Sequence, residues 1–350
     1  MTIITNLTQC QNTKEVNKKF YIKSSSPDDV AMCSVLPLDA VVYTLEGEAS
    51  FPFGSSGGRW GESGKSEGAQ WGTPIGAKIT YYAEFEGKFY HIDFRMPEDK
   101  ILDYMERAYP RWDDLEAPTQ EYKKLGRGFE ARKSTQPYES FSDLVFGFAP
   151  QGMLVVWLRY GTTQIEMGRY HATEITDPAE IEKNRQQVIA FYRCAESAFY
   201  EIEKENYNPN LSSKPWDNYR TRYSWRPVVI SEDPKHRLME TIFYYCNGET
   251  EMAFRPYVNT PTHRQRAIPK ELVVFWETGK TKNEKFQARA FLNWEKANEI
   301  FKQAGGNSDL EIKIINNNTA IELYLNGKPI PTDSTRVYLW EGEYRDSYKD

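Results

Sequence analysis

The chain has 350 residues, long for one ordinary domain and comfortable for two, and its 39% hydrophobic and 14% aromatic content suffices for packed cores rather than disorder. Its net charge of -6 argues against nucleic acid, which needs a dominant basic face. An acidic surface fits a partner with a basic cleft, although most acidic proteins are merely soluble.

At the start of the chain, Met1 to Gln9 hold a few apolar side chains just ahead of Cys10. This resembles the tail of a lipoprotein signal peptide, which would put a lipid anchor on Cys10 of a longer precursor and the protein in the periplasm or on an envelope membrane. The basic region and most of the apolar region are missing, and Gln9 is large for a cleavage site. An ordinary frayed N-terminus is the competing reading, and a complete one implies a cytoplasmic protein. No run is long enough to span a membrane. The four cysteines, Cys10, Cys33, Cys194 and Cys246, show no CxxC or Cys/His spacing. No metal site or cofactor is expected, and the spacing leaves the disulfide state open.

Residues 54–72 form a long glycine-rich loop carrying Arg59, Trp60, Glu62 and Trp71. Trp and Arg are the residue types that most often anchor interfaces, so these four are the expected partner-binding residues. The alternative is that both Trp rings fold back and cap the sheet edge. Within the loop, Gly61-Glu62-Ser63-Gly64-Lys65-Ser66 mimics the end of a phosphate-binding P-loop. Arg59 stands where the motif needs glycine, and the stretch enters more loop instead of a helix, so nucleotide binding is not expected.

Strands are expected over 78–85 and from Lys88 through Phe94. Pro97, Glu98 and Asp99 then open a helix whose buried stripe is Ile101, Leu102, Met105 and Ala108, ended by Pro110. Residues 143–148 and 153–158 flank Ala149-Pro150-Gln151-Gly152, a β-hairpin pattern that ends at Gly161. Asp177 and Pro178 start a helix over 177–206, with Ile181, Val188, Tyr192, Ala195, Phe199 and Ile202 down one side and Arg185 interrupting them. That stripe needs a sheet to cover. Asn208-Pro209-Asn210 ends it. The basic stretch from Arg220 to Arg226 is short, flanked by acids, and read as a solvated strand.

The second half repeats the plan. Residues 271–276 match the strand at 78–85, and Lys285-Phe286, Phe291 and Glu295 match Lys88-Phe89, Phe94 and Glu98 at constant offset. Asn293 caps a helix with the stripe Ala297, Ile300, Phe301 and Ala304, ended by Gly305-Gly306. The hairpin from Asp309 through Asn316-Asn317-Asn318 to Gly327 lies over the first hairpin without a gap. The expected fold is α+β: two tandem similar domains, each an antiparallel sheet with a helix on one face, joined by a long amphipathic helix. The bounds are 20–176 for the first domain, 177–218 for the helix and linker, and 219–350 for the second, diverged domain.

None of the four histidines, His91, His171, His236 and His263, lies in a nucleophile-elbow or metal-binding pattern. The pair Glu84 and Glu86 carries no glycosidase signature by itself. Nothing here argues for an enzyme.

Trp71-Gly72-Thr73-Pro74, Ile79-Thr80-Tyr81-Tyr82, Lys88-Phe89-Tyr90 running into Phe94-Arg95-Met96-Pro97, and Phe146-Gly147-Phe148-Ala149-Pro150-Gln151-Gly152 followed by Val155-Val156-Trp157-Leu158 resemble the bacterial DUF2931 family. Members are mostly small proteins classed as lipoproteins, without an assigned activity. The resemblance covers about residues 36–175; the second half keeps the strand-helix-hairpin plan but replaces the Ala-Pro-x-Gly turn with Asn316-Asn317-Asn318. It implies no functional residues. In their setting, such genes resemble the immunity partners of type VI secretion lipase effectors. The resemblance therefore implies a non-enzymatic immunity protein that binds and inhibits a secreted antibacterial effector such as a type VI secretion phospholipase. The alternative is a cell-envelope glycan- or ligand-binding module using the same aromatic residues.

Overall fold

A computed structural model describes residues 19–25, 34–54, 59–62, 64–110, 123–124, 138–255, 257–278 and 284–341. Cys10 and Cys33, and with them the lipid-anchor expectation, lie outside the described residues. The protein is mixed α/β, with several sheets and five α-helices among the described residues.

The first half begins with β1 (Lys19–Ser25), β2 (Val35–Thr44), β3 (Gly47–Ser50) and the short β4 (Lys65–Ser66) and β5 (Gln70–Trp71). Then come β6 (Pro74–Ala83), β7 (Lys88–Arg95), α1 (Glu98–Met105), β8 (Arg107–Pro110), β9 (Lys123–Lys124) and β10 (Tyr138–Ser140). It closes with β11 (Asp143–Ala149), β12 (Met153–Tyr160), β13 (Thr163–His171) and β14 (Thr173–Glu174). One sheet runs β14-β7-β6-β2-β3; β8, β9 and β10 form a small separate sheet. A second sheet places β1 parallel to β11, followed by β12 and β13 as antiparallel neighbours. Phe20, Ile79, Tyr81, Phe94, Phe146 and Val156 meet in one core, and α1 adds Ile101 and Met105.

Three helices follow: α2 (Pro178–Tyr192), α3 (Glu196–Asn206) and α4 (Lys214–Asn218). The second half opens with β15 (Arg222–Ser231), β16 (Arg237–Tyr245), β17 (Thr250–Phe254), β18 (Arg264–Ala267), β19 (Pro269–Glu277) and β20 (Lys285–Leu292). It continues with α5 (Trp294–Ala304), β21 (Ser308–Ile315), β22 (Ala320–Leu325), β23 (Lys328–Pro329) and β24 (Thr332–Leu339). Here β15 runs parallel to β21 within the order β18-β15-β21-β22-β23. The other strands order as β24-β20-β19-β16-β17, and β17 meets β13 where Thr250 faces Gln164. One 11-stranded sheet therefore crosses from one half to the other.

Residue patterns explain the local choices. β21 alternates, turning Leu310, Ile312 and Ile314 into the core and Asp309, Glu311 and Lys313 outward, as a strand with one buried face must. β12 instead is buried from Met153 through Leu158. Leu154, Val156 and Leu158 face the first core, while Met153, Val155 and Trp157 pack outward under Trp60 and Trp216. An unbroken apolar run is the signature of a strand covered on both faces.

The structure departs from the sequence reading at five points. The sheets are not wholly antiparallel, because β1 and β15 each join parallel to the first strand of a hairpin. The first helix stops at Met105, so Ala108 belongs to β8; Tyr109 precedes Pro110, and a residue before proline is pushed towards extended backbone. The long helix is broken: Arg193 takes a left-handed conformation at φ 52° and separates α2 from α3. A straight helix over 177–206 would be about 45 Å long, against about 33 Å for the 10-residue β6. The break lets Val188 and Phe199 both cover Tyr82 and Phe89 on that sheet, while Tyr192 and Ile202 remain 41% and 52% exposed.

The constant-offset match also fails by face. β7 turns Phe94 into its core, whereas β20 turns Ala290 and Leu292 inward, leaving Phe291 on the opposite side. A slip of one residue exchanges the faces of a strand. The two hairpins likewise differ in their turns. Ala149 pairs with Met153 in the first, but Ile315 pairs with Ala320 in the second, which inserts one more residue.

Candidate functional site

Residues 59–62 close over the outer face of β12, and glycine makes that closure sterically feasible. Gly61, at φ 81°, faces Gly248, at φ 86°, so closely that a Cβ on Gly61 would stand 2.5 Å from the Gly248 carbonyl oxygen. A Cβ on Gly248 would in turn stand 2.6 Å from the Trp157 ring. The side-chain amide of Gln164 donates to the Gly61 carbonyl at 2.8 Å and the Gly248 carbonyl at 2.6 Å. Lys270 Nζ donates to the Trp60 carbonyl at 3.4 Å. Both halves therefore hold this loop.

Trp60, expected among the partner-binding residues, is turned inward and only 5% exposed. Its ring meets Trp157 edge-on at 5.0 Å and Trp216 at 6.1 Å. Such a ring anchors the loop to its own protein. The side chains of Arg59 and Glu62 remain about half exposed, 4.0 Å apart. Trp71 is 51% exposed on β5, away from the other three. The P-loop mimic ends in strand, since Lys65 and Ser66 form β4.

Beneath the loop lies a half-open cavity of about 470 Å³ at the junction of the halves. Arg59, Trp60 and Glu62 line it together with Arg159 and Gln164 from the first half and Tyr244, Glu249, Lys270, Glu271 and Arg289 from the second. Glu271 is nearly buried and pairs with Arg289 at 2.8 Å. Glu249 pairs with Arg222 at 2.6 Å and accepts from the Glu166 backbone N–H at 3.0 Å and from Asn247 at 2.9 Å. Burial raises the Tyr244 pKa above its ordinary value, with Glu271 and Glu62 adding to the effect, so the phenol stays protonated. Nearby, burial lowers the Lys100 pKa against the opposing pull of Glu249 and Glu166.

Of the cavity's lining, sequence reasoning singled out Arg59, Trp60 and Glu62 but not Arg159, Gln164, Lys270, Glu271 or Arg289. The one available signal was Lys270-Glu271, a charged pair just ahead of the apolar run from Leu272 to Trp276 in β19. None of the four histidines lines the cavity. His91 bonds to Thr80, His263 to Asp309, and burial lowers His236 to about 4. Among the described residues, no group of three His, Cys, Asp or Glu side chains could hold a metal ion. Cys194 is a half-buried free thiol, and Cys246 is buried. No helix among the described residues is long and apolar enough to cross a membrane.

Fold and cavity together define a mixed α/β protein with a charged cleft built jointly by its two halves. The chain belongs to the DUF2931 family, described as a protein of unknown function, whose profile matches residues 7–208. That span takes in the first half with α2 and α3. No curated protein matches the chain. A solved structure with some similarity is the C-terminal fragment of the pilus adhesin SpaC from Lactobacillus rhamnosus GG, at 5% identity over 89% of this chain and 88% of that one. Its TM-score of 0.15 is too low to support any argument.

Proposed function

We propose that the chain is two tandem copies of one α+β unit bridged by α2, α3 and α4, and that it is a non-enzymatic inhibitor. Its target is a secreted antibacterial effector, for which a type VI secretion phospholipase is the leading choice, met in the cell envelope.

The pairing pattern supports the duplication. β1 beside β11, β2 between β3 and β6, β6 beside β7, and β7 beside β14 have counterparts in β15 beside β21, β16 between β17 and β19, β19 beside β20, and β20 beside β24. Irregularities recur at matching places, at Leu38 and Ile75 in one half and Met239 and Lys270 in the other. Each helix follows its strand directly and buries one stripe, Ile101 and Met105 in α1, Ala297 and Phe301 in α5.

The inhibitor reading rests on one observation: each carboxylate lining the cleft already faces an arginine, Glu62 facing Arg59, Glu249 facing Arg222, and Glu271 facing Arg289. Paired carboxylates suit a recognition surface better than general acid-base work, which needs a group poised to exchange its proton. The exposed heads of Arg59 and Glu62 stand on a loop anchored by Trp60, so a partner meets a pre-ordered rim. The glycan alternative wants coplanar exposed rings; exposed Phe53 instead meets Phe191 at 80°.

Co-purification with the product of the neighbouring gene, and survival of cells co-expressing both, test the proposal. Binding with protection is expected. Failure to bind or to protect removes it.

A further inference from the structure

The junction cavity itself goes beyond the inhibitor reading, which uses only its rim. Four cations, Arg59, Arg159, Lys270 and Arg289, line it against the three carboxylates Glu62, Glu249 and Glu271. The surrounding chain has a net charge of -6. Glu249 is moreover neutralised from outside the lining by Arg222. Arg159 has the weaker share of its own carboxylate. Asp143 holds Lys23 at 2.6 Å, while Arg159 Nε stands 3.7 Å from the same oxygen, beyond hydrogen-bonding reach, and Nε has no hydrogen-bond partner. A local surplus of positive charge therefore stands over a wall of Trp60 and buried backbone. Low-dielectric surroundings of this kind strengthen its pull on an anion.

We infer that the junction cavity binds a small molecule through a carboxylate or phosphate group, with Arg159 and Lys270 supplying the charge and Tyr244 a neutral hydroxyl donor. The chemistry follows from the residue types. A guanidinium presents a planar fork that matches two oxyanion oxygens, and an ammonium adds a compact second charge. The volume of about 470 Å³ lies within the range of small-ligand sites.

The test is calorimetric titration of the purified full chain with citrate and with inorganic phosphate, holding ionic strength constant with chloride. We expect saturable one-site binding of at least one probe with a Kd below about 1 mM. Arg159→Gln should weaken it about tenfold or more, while Arg185→Gln, remote on α2, should leave it unchanged. Absence of saturable binding of either probe up to about 10 mM overturns the inference, as does a folded Arg159→Gln variant that binds as tightly as the parent. If far-UV circular dichroism shows Arg159→Gln to be unfolded, Lys270→Met replaces it under the same criterion. The assay contains no effector, so its outcome is independent of the inhibitor reading.

Discussion

Gly61 and Gly248 touch because neither carries a Cβ, and Gln164 ties their carbonyls together. Composition marked the loop as glycine-rich but not as clamped. The clamp comes from residues 103 positions further along and 84 positions apart, and no local pattern reports such distant neighbours. Arg59 and Glu62 were legible as residue types, whereas Arg159 and Arg289 sit inside strands and gave no sign that they converge. Gly61→Ala combines an unfavourable φ with a backbone clash, so we expect about 2–4 kcal/mol of destabilisation in urea denaturation. A loss within about 0.5 kcal/mol, as at an ordinary surface site, contradicts the clamp.

His236 gives a pH signature on the same scale. Burial holds its pKa down to about 4, Arg255 adds to the lowering, and Asp233 opposes it. The unfolded value is about 6.5, so the unfolded chain takes up the proton first. This contribution is intact above about pH 6.5 and is lost as pH falls towards 4, by on the order of 1–2 kcal/mol after allowing for partial exposure. Urea midpoints of the parent should fall across that window more steeply than those of His236→Gln. Parallel profiles contradict the assignment.

At the scale of elements, the turn chemistry was readable. Gln151 and Gly152, both at positive φ, turn β11 onto β12, and the Asp177 side chain accepts from the Ala179 and Glu180 N–H groups at the start of α2. Faces were harder to read. Phe94 and Phe291 match by type but not by side, because a one-residue offset along a strand exchanges its faces while leaving the residue types in line. The helix break was hidden for a related reason: the apolar spacing continues across Arg193, and only the size of the sheet beneath limits the helix. Arg193 holds φ 52° without being glycine. Arg193→Gly should therefore stabilise the protein by about 0.5–1 kcal/mol, read as a higher urea midpoint with an unchanged slope. A lower midpoint would mean that the arginine side chain outweighs its backbone strain.

At the scale of the molecule, two cores are joined by a shared sheet. Phe20, Tyr81 and Phe146 belong to one, Trp225, Trp276 and Phe301 to the other. Between them, Gln164 faces Thr250, and the outer aromatic cluster of Trp60, Trp157 and Trp216 closes the seam. The existence of two halves was legible from hydrophobic spacing and turns. Their fusion was not, since a single bridge between β13 and β17 leaves no periodic trace. The cavity requires this fusion, because its lining comes from both halves. The most direct measurement is urea unfolding of the full chain followed in parallel by tryptophan fluorescence and far-UV circular dichroism. Coincident curves with one midpoint are expected, with Gln164→Leu lowering that midpoint by leaving two buried carbonyls without a donor. Two well-separated transitions in the parent chain would contradict the account.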